Sequence, residues 1–421
     1  MNDTAKPAHK DYVSAREALQ RLDIRLQTLY SYVSRGWIRS FKQPGRMDRL
    51  YLTEDIERVR ARSQARAGHG AVAASAMQLG EPIIATSITE ITPEGPCYRG
   101  RPSLELARAR MSFEAVAELL WAGLWHDAPL CWDIVPIPAE LRRLTGSIGP
   151  IATPDQLIEV FALITLTLGL IRGGVAERVR KGQSLEAARQ IIQTLAGCFG
   201  YISAQRRFVP LKPGEHVSGG LLRALTAKPT EENREALEAI LVLLADHELA
   251  PGAFAARVAA SSGATLHGCL ASAMCANSGV RVGRMYDQIE DFLAGTDNSA
   301  ELLRRTGQAQ RRGQTVPGFS HALYPKGDPR GTFLLDLARR RTRPSRRLAA
   351  VCSFADAAIA ELGLHPRVEL AVVALCMEMG LPARSGGAVF TLARSAGWVA
   401  HVLEQRLSAS LLRPRAKFVA A

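Results

Sequence analysis

The chain has 421 residues, 47% apolar and 22% charged, with a net charge of +13. That is the composition of an ordinary globular protein with a sizeable core and two or three domains. The longest apolar run, Val160 to Ile171, is too short to cross a bilayer and the opening MNDTAKPAHKDY carries no apolar leader, so neither a membrane span nor secretion is expected. Seven cysteines without a CxxC pair point to reduced thiols in a cytoplasmic protein, with no metal site.

Residues 1–67 hold 14 Lys+Arg and 8 Asp+Glu, a net of +6, so nearly half the excess charge lies in this short stretch. A basic segment of that kind attracts polyanions. "SAREALQRL" predicts a short helix opening on Ser14, "DIR" a tight turn, and "LQTLYSYVSRG" a second helix closed by Gly36. "WIRSFKQPGRMDRLYL" predicts two strands around a Pro-Gly turn, and a third helix starts at Thr53. Residues 1–65 resemble MerR-type winged helix-turn-helix domains. The resemblance implies DNA as a partner, with Gln27, Thr28, Ser31 and Arg35 on the exposed face of the second helix and Arg46 and Arg49 on the wing. A helix-turn-helix used only as a protein-contact module is the alternative.

Residues 66–78, small and Ala/Gly-rich, predict a linker. "EPIIATSITEI" predicts a strand, after which the chain is overwhelmingly helical. "TPDQLIEVFALITLTLGLIRG" shows Thr153 as an N-cap, Pro154 at the first helical position and Gln156 completing a capping box.

Three later segments carry candidate chemistry: "HELAPGAFAARVAASSGATL" from His247, "PGFSHALYPKGDPR" with His321 and Arg330, and "VELAVVALCMEMGLPARSGGAVFTLARSAGWVAHVLEQRL" with Arg394. An arginine inside an apolar helix is expensive unless an anion meets it. Two histidines and two or three arginines fit a small dicarboxylate.

In this order the segments resemble the citrate synthase family over residues 79–421. The resemblance implies an all-α fold, with a large domain over 79–282 and 376–421 and a small domain over 283–375. It implies a homodimer that binds oxaloacetate and acetyl-CoA or another acyl-CoA as cosubstrate, with no bound cofactor. His247, His321, Arg330 and Arg394 match the family's oxaloacetate ligands, and Arg413 of "RPRAKF" matches the arginine lent by the partner subunit.

The resemblance also has gaps. Where the family writes Gly-Pro-Leu-His-Gly-Gly, this chain has "GVRVGR", so Val282 stands at the position of a catalytic histidine. Glu369 stands for the catalytic aspartate, and Ser320 replaces the glycine before His321. His267, in "LHG", lies too early in the chain to substitute. Valine cannot donate a hydrogen bond, and losing one such donor costs about 10²- to 10³-fold in rate. Glu369 keeps a base but reaches one methylene further. His321 and Glu369 are thus the surviving catalytic candidates. Three functions remain open: a synthase of low or altered activity, a metabolite-sensing transcriptional regulator, and an inactive partner of an active synthase.

Overall fold

The computed structural model describes residues 12–34, 38, 40–42, 49–53, 55–57, 59, 84–149, 152–171, 183–408 and 410–414. The chain divides into two compact units at the Ile84/Ala85 boundary.

In the smaller unit, β1 (Tyr12–Ser14) runs into α1 (Ala15–Leu22), and α2 (Leu26–Ser34) follows. Ser14 caps α1 as expected: its hydroxyl accepts from the Glu17 N–H at 3.3 Å, and Glu17 accepts from the Ser14 N–H at 2.9 Å. β2 (Ser40–Lys42) and β3 (Arg49–Leu52) pair antiparallel, with Phe41 opposite Leu50, as the hairpin pattern predicts. β1 pairs along the other edge of β3, which local pattern did not signal. Thr53, Asp55–Glu57 and Val59 are helical. Val13, Leu22, Leu29, Ile38, Tyr51 and Ile56 form part of a small core. Gln27 and Arg49 are exposed, and Arg49 donates to Ser40 Oγ at 3.2 Å. Thr28 and Ser31 are half-buried rather than exposed, because α2 turns them toward its neighbours, and Tyr30 takes the outer face at 53% exposure. Arg35, Gly36, Arg46, the Pro-Gly turn and the expected linker 66–78 lie outside the described residues.

The larger unit opens on an antiparallel sheet of β4 (Thr89–Thr92), β5 (Gly95–Tyr98) and β6 (Arg101–Pro102). The expected strand is therefore later and shorter; Ile84–Thr86 are not in it. The helices are α3 (Ser103–Arg108), α4 (Phe113–Ala122), α5 (Ala139–Ile148), α6 (Leu157–Ile171), α7 (Gln183–Cys198), α8 (Val217–Ala224), α9 (Glu231–Leu244) and α10 (Pro251–Ser261). There follow α11 (Leu266–Asn277), α12 (Met285–Leu293), α13 (Ser299–Arg311), α14 (Pro329–Arg339), α15 (Arg346–Leu362), α16 (Val368–Glu378) and α17 (Ser385–Ser408). Ahead of α6, Pro154–Gln156 is a 3₁₀ turn, and Thr153 Oγ lies 2.9 Å from Gln156 Oε1 instead of capping the backbone. By length and composition Pro154–Ile171 is apolar enough to cross a membrane, but half of it is buried. It packs on α11 while Leu163, Leu166 and Leu170 face outward. All seven cysteines are free thiols.

α17 is the axis of this unit. Every residue from Ser385 to Val402 is buried, which is the mark of a helix enclosed on all sides. It touches α4, α6, α7, α9, α10, α11, α12 and α16. Small residues allow the close packing. A Cβ at Gly397 would lie 2.1 Å from Asp246 Oδ1 and 2.6 Å from the Ala245 carbonyl oxygen. Gly397→Ala is therefore expected to destabilise the protein by about 1–3 kcal/mol. Chemical denaturation of the full chain measures this, and an unchanged midpoint would show that α17 can slide without cost.

Candidate active site

The site begins with Asp328, the N-cap of α14. Its carboxylate accepts from the Arg330 N–H at 3.1 Å, with Pro329 at the first helical position. The same carboxylate grips the Arg330 side chain in two-pronged fashion, Nε to Oδ1 at 3.0 Å and Nη2 to Oδ2 at 2.8 Å. Both residues are buried. Burial alone would raise the Asp328 carboxyl, but the Arg330 guanidinium overrides it and holds it below the usual carboxylate range.

The loop ahead of α14 is tied to the start of α16. Arg367 N–H donates to the Gly318 carbonyl at 2.8 Å, and Ser320 N–H to the His365 carbonyl at 3.0 Å. Val368 N–H reaches Asp328 Oδ2 at 3.4 Å. Ser320 itself sits at φ 59°, a left-handed conformation that suits glycine better than serine.

This frame sets His321. Its Nδ1 accepts from the Leu323 N–H at 3.1 Å, so the neutral ring carries its proton on Nε2, free to donate. His247 stands beside it, ring centres 5.6 Å apart, and Tyr324 completes the cluster at 5.8 Å from His247 and 5.2 Å from His321. His247 Nε2 lies 3.3 Å from the Tyr324 hydroxyl. The Arg330 guanidinium is 5.6 Å from the Tyr324 ring centre. Burial, then the Arg330 and Arg394 charges, push His247 well below its ordinary pKa; burial, then Arg367, lower His321. Both imidazoles are therefore neutral near pH 7.

Arg394 enters from α17. Its Nε donates to the Leu244 carbonyl at 2.8 Å, and its guanidinium lies 4.8 Å from the Phe390 ring centre. Its two terminal amino groups have no protein hydrogen-bond partner among the described residues. Burial pushes this guanidinium down while the Asp246 charge works the other way. Asp246 is fully buried next to His247, with His401 Nε2 3.3 Å from its Oδ1. His401 Nδ1 accepts from Arg257 Nε at 3.0 Å, and Arg257 pairs with Glu404. The Tyr98 hydroxyl, 3.1 Å from the Val242 and Leu243 carbonyls, braces the turn that leads to His247.

The structure thus brings together four of the expected residues: His247, His321, Arg330 and Arg394. Glu369 opens α16 with its carboxylate already occupied. Arg367 Nε donates to Oε2 at 3.0 Å and Nη2 to Oε1 at 2.8 Å. Val282 lies in the turn before α12, half-buried. Arg284, two residues on, turns to α6, with Nη2 3.3 Å from Glu159 Oε1. His267 faces α6, since a Cβ on Gly169 would lie 2.7 Å from its own Cβ. Arg413 is exposed on a segment docked by the Leu412 N–H to Ser261 Oγ at 3.1 Å. Sequence reasoning did not single out Tyr98, Asp246, Tyr324 or Arg367. Arg367 had one available signal, a cation two residues before a candidate base.

Asp328→Asn keeps an oxygen for the cap but removes the charge that balances Arg330. A loss of about 3 kcal/mol in stability is expected, as for other broken buried ion pairs. Dicarboxylate affinity should fall at least tenfold. Denaturation and calorimetric titration test both; a variant as stable as the parent would mean that Arg330 finds other compensation.

Residues 78–415 match the family described as citrate synthase, C-terminal domain. A Mycobacterium tuberculosis protein assigned as a second citrate synthase is 31% identical over 351 residues, covering 79% of this chain and 90% of its own length. The 2-methylcitrate synthase of Shewanella oneidensis is 24% identical over 352 residues, covering 80% and 91%. Among solved structures, the citrate synthase of Thermoplasma acidophilum in ternary complex with carboxymethyl coenzyme A and oxaloacetate superimposes with a TM-score of 0.63 at 20% identity, covering 81% of this chain and 94% of that one. The helical architecture agrees with these structures, and the family match spans the whole of the larger unit: this chain belongs to the citrate synthase family.

Proposed function

We propose that the protein binds an oxaloacetate-like dicarboxylate together with an acyl-CoA and condenses them to citrate or a homologue, slowly. The observation that carries this reading is the contrast within one site. His247, His321, Arg330 and Arg394 are gathered in one place, while the condensing groups are incomplete or occupied. Residues 79–282 with 376–421 act as a large lobe and 283–375 as a small one. Leu163, Leu166 and Leu170 form an outward apolar stripe suited to a second copy, whose Arg413 would complete the clamp.

In the clamp, Arg330 and Arg394 meet carboxylates and His321 Nε2–H meets the ketone oxygen. Glu369 takes a proton from the methyl group next to the thioester carbonyl. The C–H electrons become a carbon–carbon double bond and the carbonyl electrons move to oxygen. The enol carbon then attacks the ketone carbon, whose oxygen is protonated from the His321 side. Water cleaves the thioester and CoA leaves as a thiol. Two features slow the first step: Val282 cannot stabilise the enol oxygen, and both Glu369 oxygens already accept from Arg367.

Thiol release with acetyl-CoA and oxaloacetate, run beside calorimetric oxaloacetate binding, tests this directly. Binding with very slow release is expected. Val282→His should then raise the rate by on the order of 10²-fold with oxaloacetate affinity unchanged, and Glu369→Asp should add to it. A wild-type protein at ordinary synthase rates would overturn the reading of the incomplete set.

The basic N-terminal segment favours a second reading, a regulator that senses the same ligand. Exposed Gln27 and Arg49 lie on a helix pair and a hairpin, the elements of a winged helix-turn-helix. DNA affinity should fall steeply with salt as phosphate contacts release counterions. Equal gel mobility shifts with and without residues 1–67 would rule DNA recognition by this segment out.

A further inference from the structure

Tyr286 is 2% exposed, and its hydroxyl is buried without a hydrogen-bond partner among the described residues. A buried hydroxyl that has lost water and gained nothing calls for a reason. The ring is not loose. It stacks on Phe390 with centres 5.3 Å apart and planes 30° apart, and Phe390 in turn carries the Arg394 guanidinium. Gly386, one turn before Phe390 on α17, packs against the same ring: a Cβ there would lie 3.2 Å from Tyr286 Cδ1.

The position in the chain matters as much. Tyr286 follows Val282 by about one helical turn, and the turn is closed by the Met285 N–H to the Val282 carbonyl at 3.3 Å. The hydroxyl lies within the electrostatic reach of Glu369, Arg394 and Arg330. Burial, then the Glu369 charge, hold its proton on well above the ordinary phenol range. It is therefore a neutral O–H donor at any working pH.

We propose that the Tyr286 hydroxyl donates a hydrogen bond to the carbonyl oxygen of the bound acyl thioester, supplying from α12 the donor that Val282 lacks. The inference rests on the dicarboxylate and acyl-CoA reading above. It gives the residual condensation a structural source. Position selects this end of the ligand: Tyr286 stands one helical turn after Val282, where the donor implied by the family resemblance is missing.

Tyr286→Phe removes only the oxygen. In the full chain with oxaloacetate present, carboxymethyl-CoA should bind at least tenfold more weakly, and thiol release at saturating substrates should fall about 10²-fold. Oxaloacetate affinity and the unfolding midpoint should stay at wild-type values, because the lost hydroxyl holds nothing in the protein. In a Val282→His background the same substitution should cost much less, since a second donor is present. Unchanged carboxymethyl-CoA affinity, with wild-type protein still binding both ligands, overturns this inference alone. A parallel loss of oxaloacetate affinity or of stability overturns it too, by making Tyr286 part of the clamp or the core. Wild-type protein that binds neither ligand overturns the proposed function and this inference together.

Discussion

Two buried guanidinium groups, Arg330 and Arg394, are the constraint around which the larger unit is organised. A charge taken out of water is tolerated only where the protein replaces its hydration. Arg330 finds that replacement in Asp328, which the chain places two residues earlier and uses again as a helix cap. Arg394 finds less. One backbone carbonyl, one aromatic face and the field of Asp246 hold it, and its terminal amino groups remain available. The difference separates the two arginines: Arg330 is a finished ion pair, and Arg394 is the one with hydrogen-bonding capacity left over.

Much of the surrounding structure follows from holding these charges still. Asp246 cannot drift, because His401 faces it and Arg257 and Glu404 stand behind His401. The tight approach at Gly397 presses α17 onto the same carboxylate. The loop of His321 is tied to the start of α16 through backbone bonds at Gly318 and Ser320. An imidazole so placed stays neutral among cations, which makes it a donor of hydrogen bonds and not a further positive charge.

In the proposed function, binding and chemistry are separated in this site: the arginines and histidines proposed to meet a carboxylate are gathered, while Val282 and Glu369 stand where the family resemblance implies a histidine and an aspartate. Glu369 is the instructive case. Read in isolation it is a carboxylate in the right place on α16, yet Arg367 engages both its oxygens. A base must shed or share such a partner before it accepts a proton, so an acid at the expected position does not by itself preserve the reaction.

The linear sequence by itself determined the class of the protein. Helical patterning and Pro and Gly punctuation indicated a mostly helical chain, and the segments around His247, His321, Arg330 and Arg394 carried the resemblance that implied the all-α fold. The helix start at Ser14 was equally legible, although the capping box formed there and not at Thr153, where it was expected. Long-range contacts were not. β1 pairing with β3 and the half-burial of Thr28 and Ser31 depend on neighbours distant in the chain. Nor did the sequence disclose that Arg367 occupies Glu369, that Tyr98 and Asp246 support His247, or that Tyr286 presents an unsatisfied hydroxyl. Hydrogen bonding and desolvation act through space, over a few ångströms, whether the chain separates the groups by two residues, as for Arg367 and Glu369, or by more than a hundred, as for Tyr98 and Val242. Only the packed tertiary structure decides which of them meet.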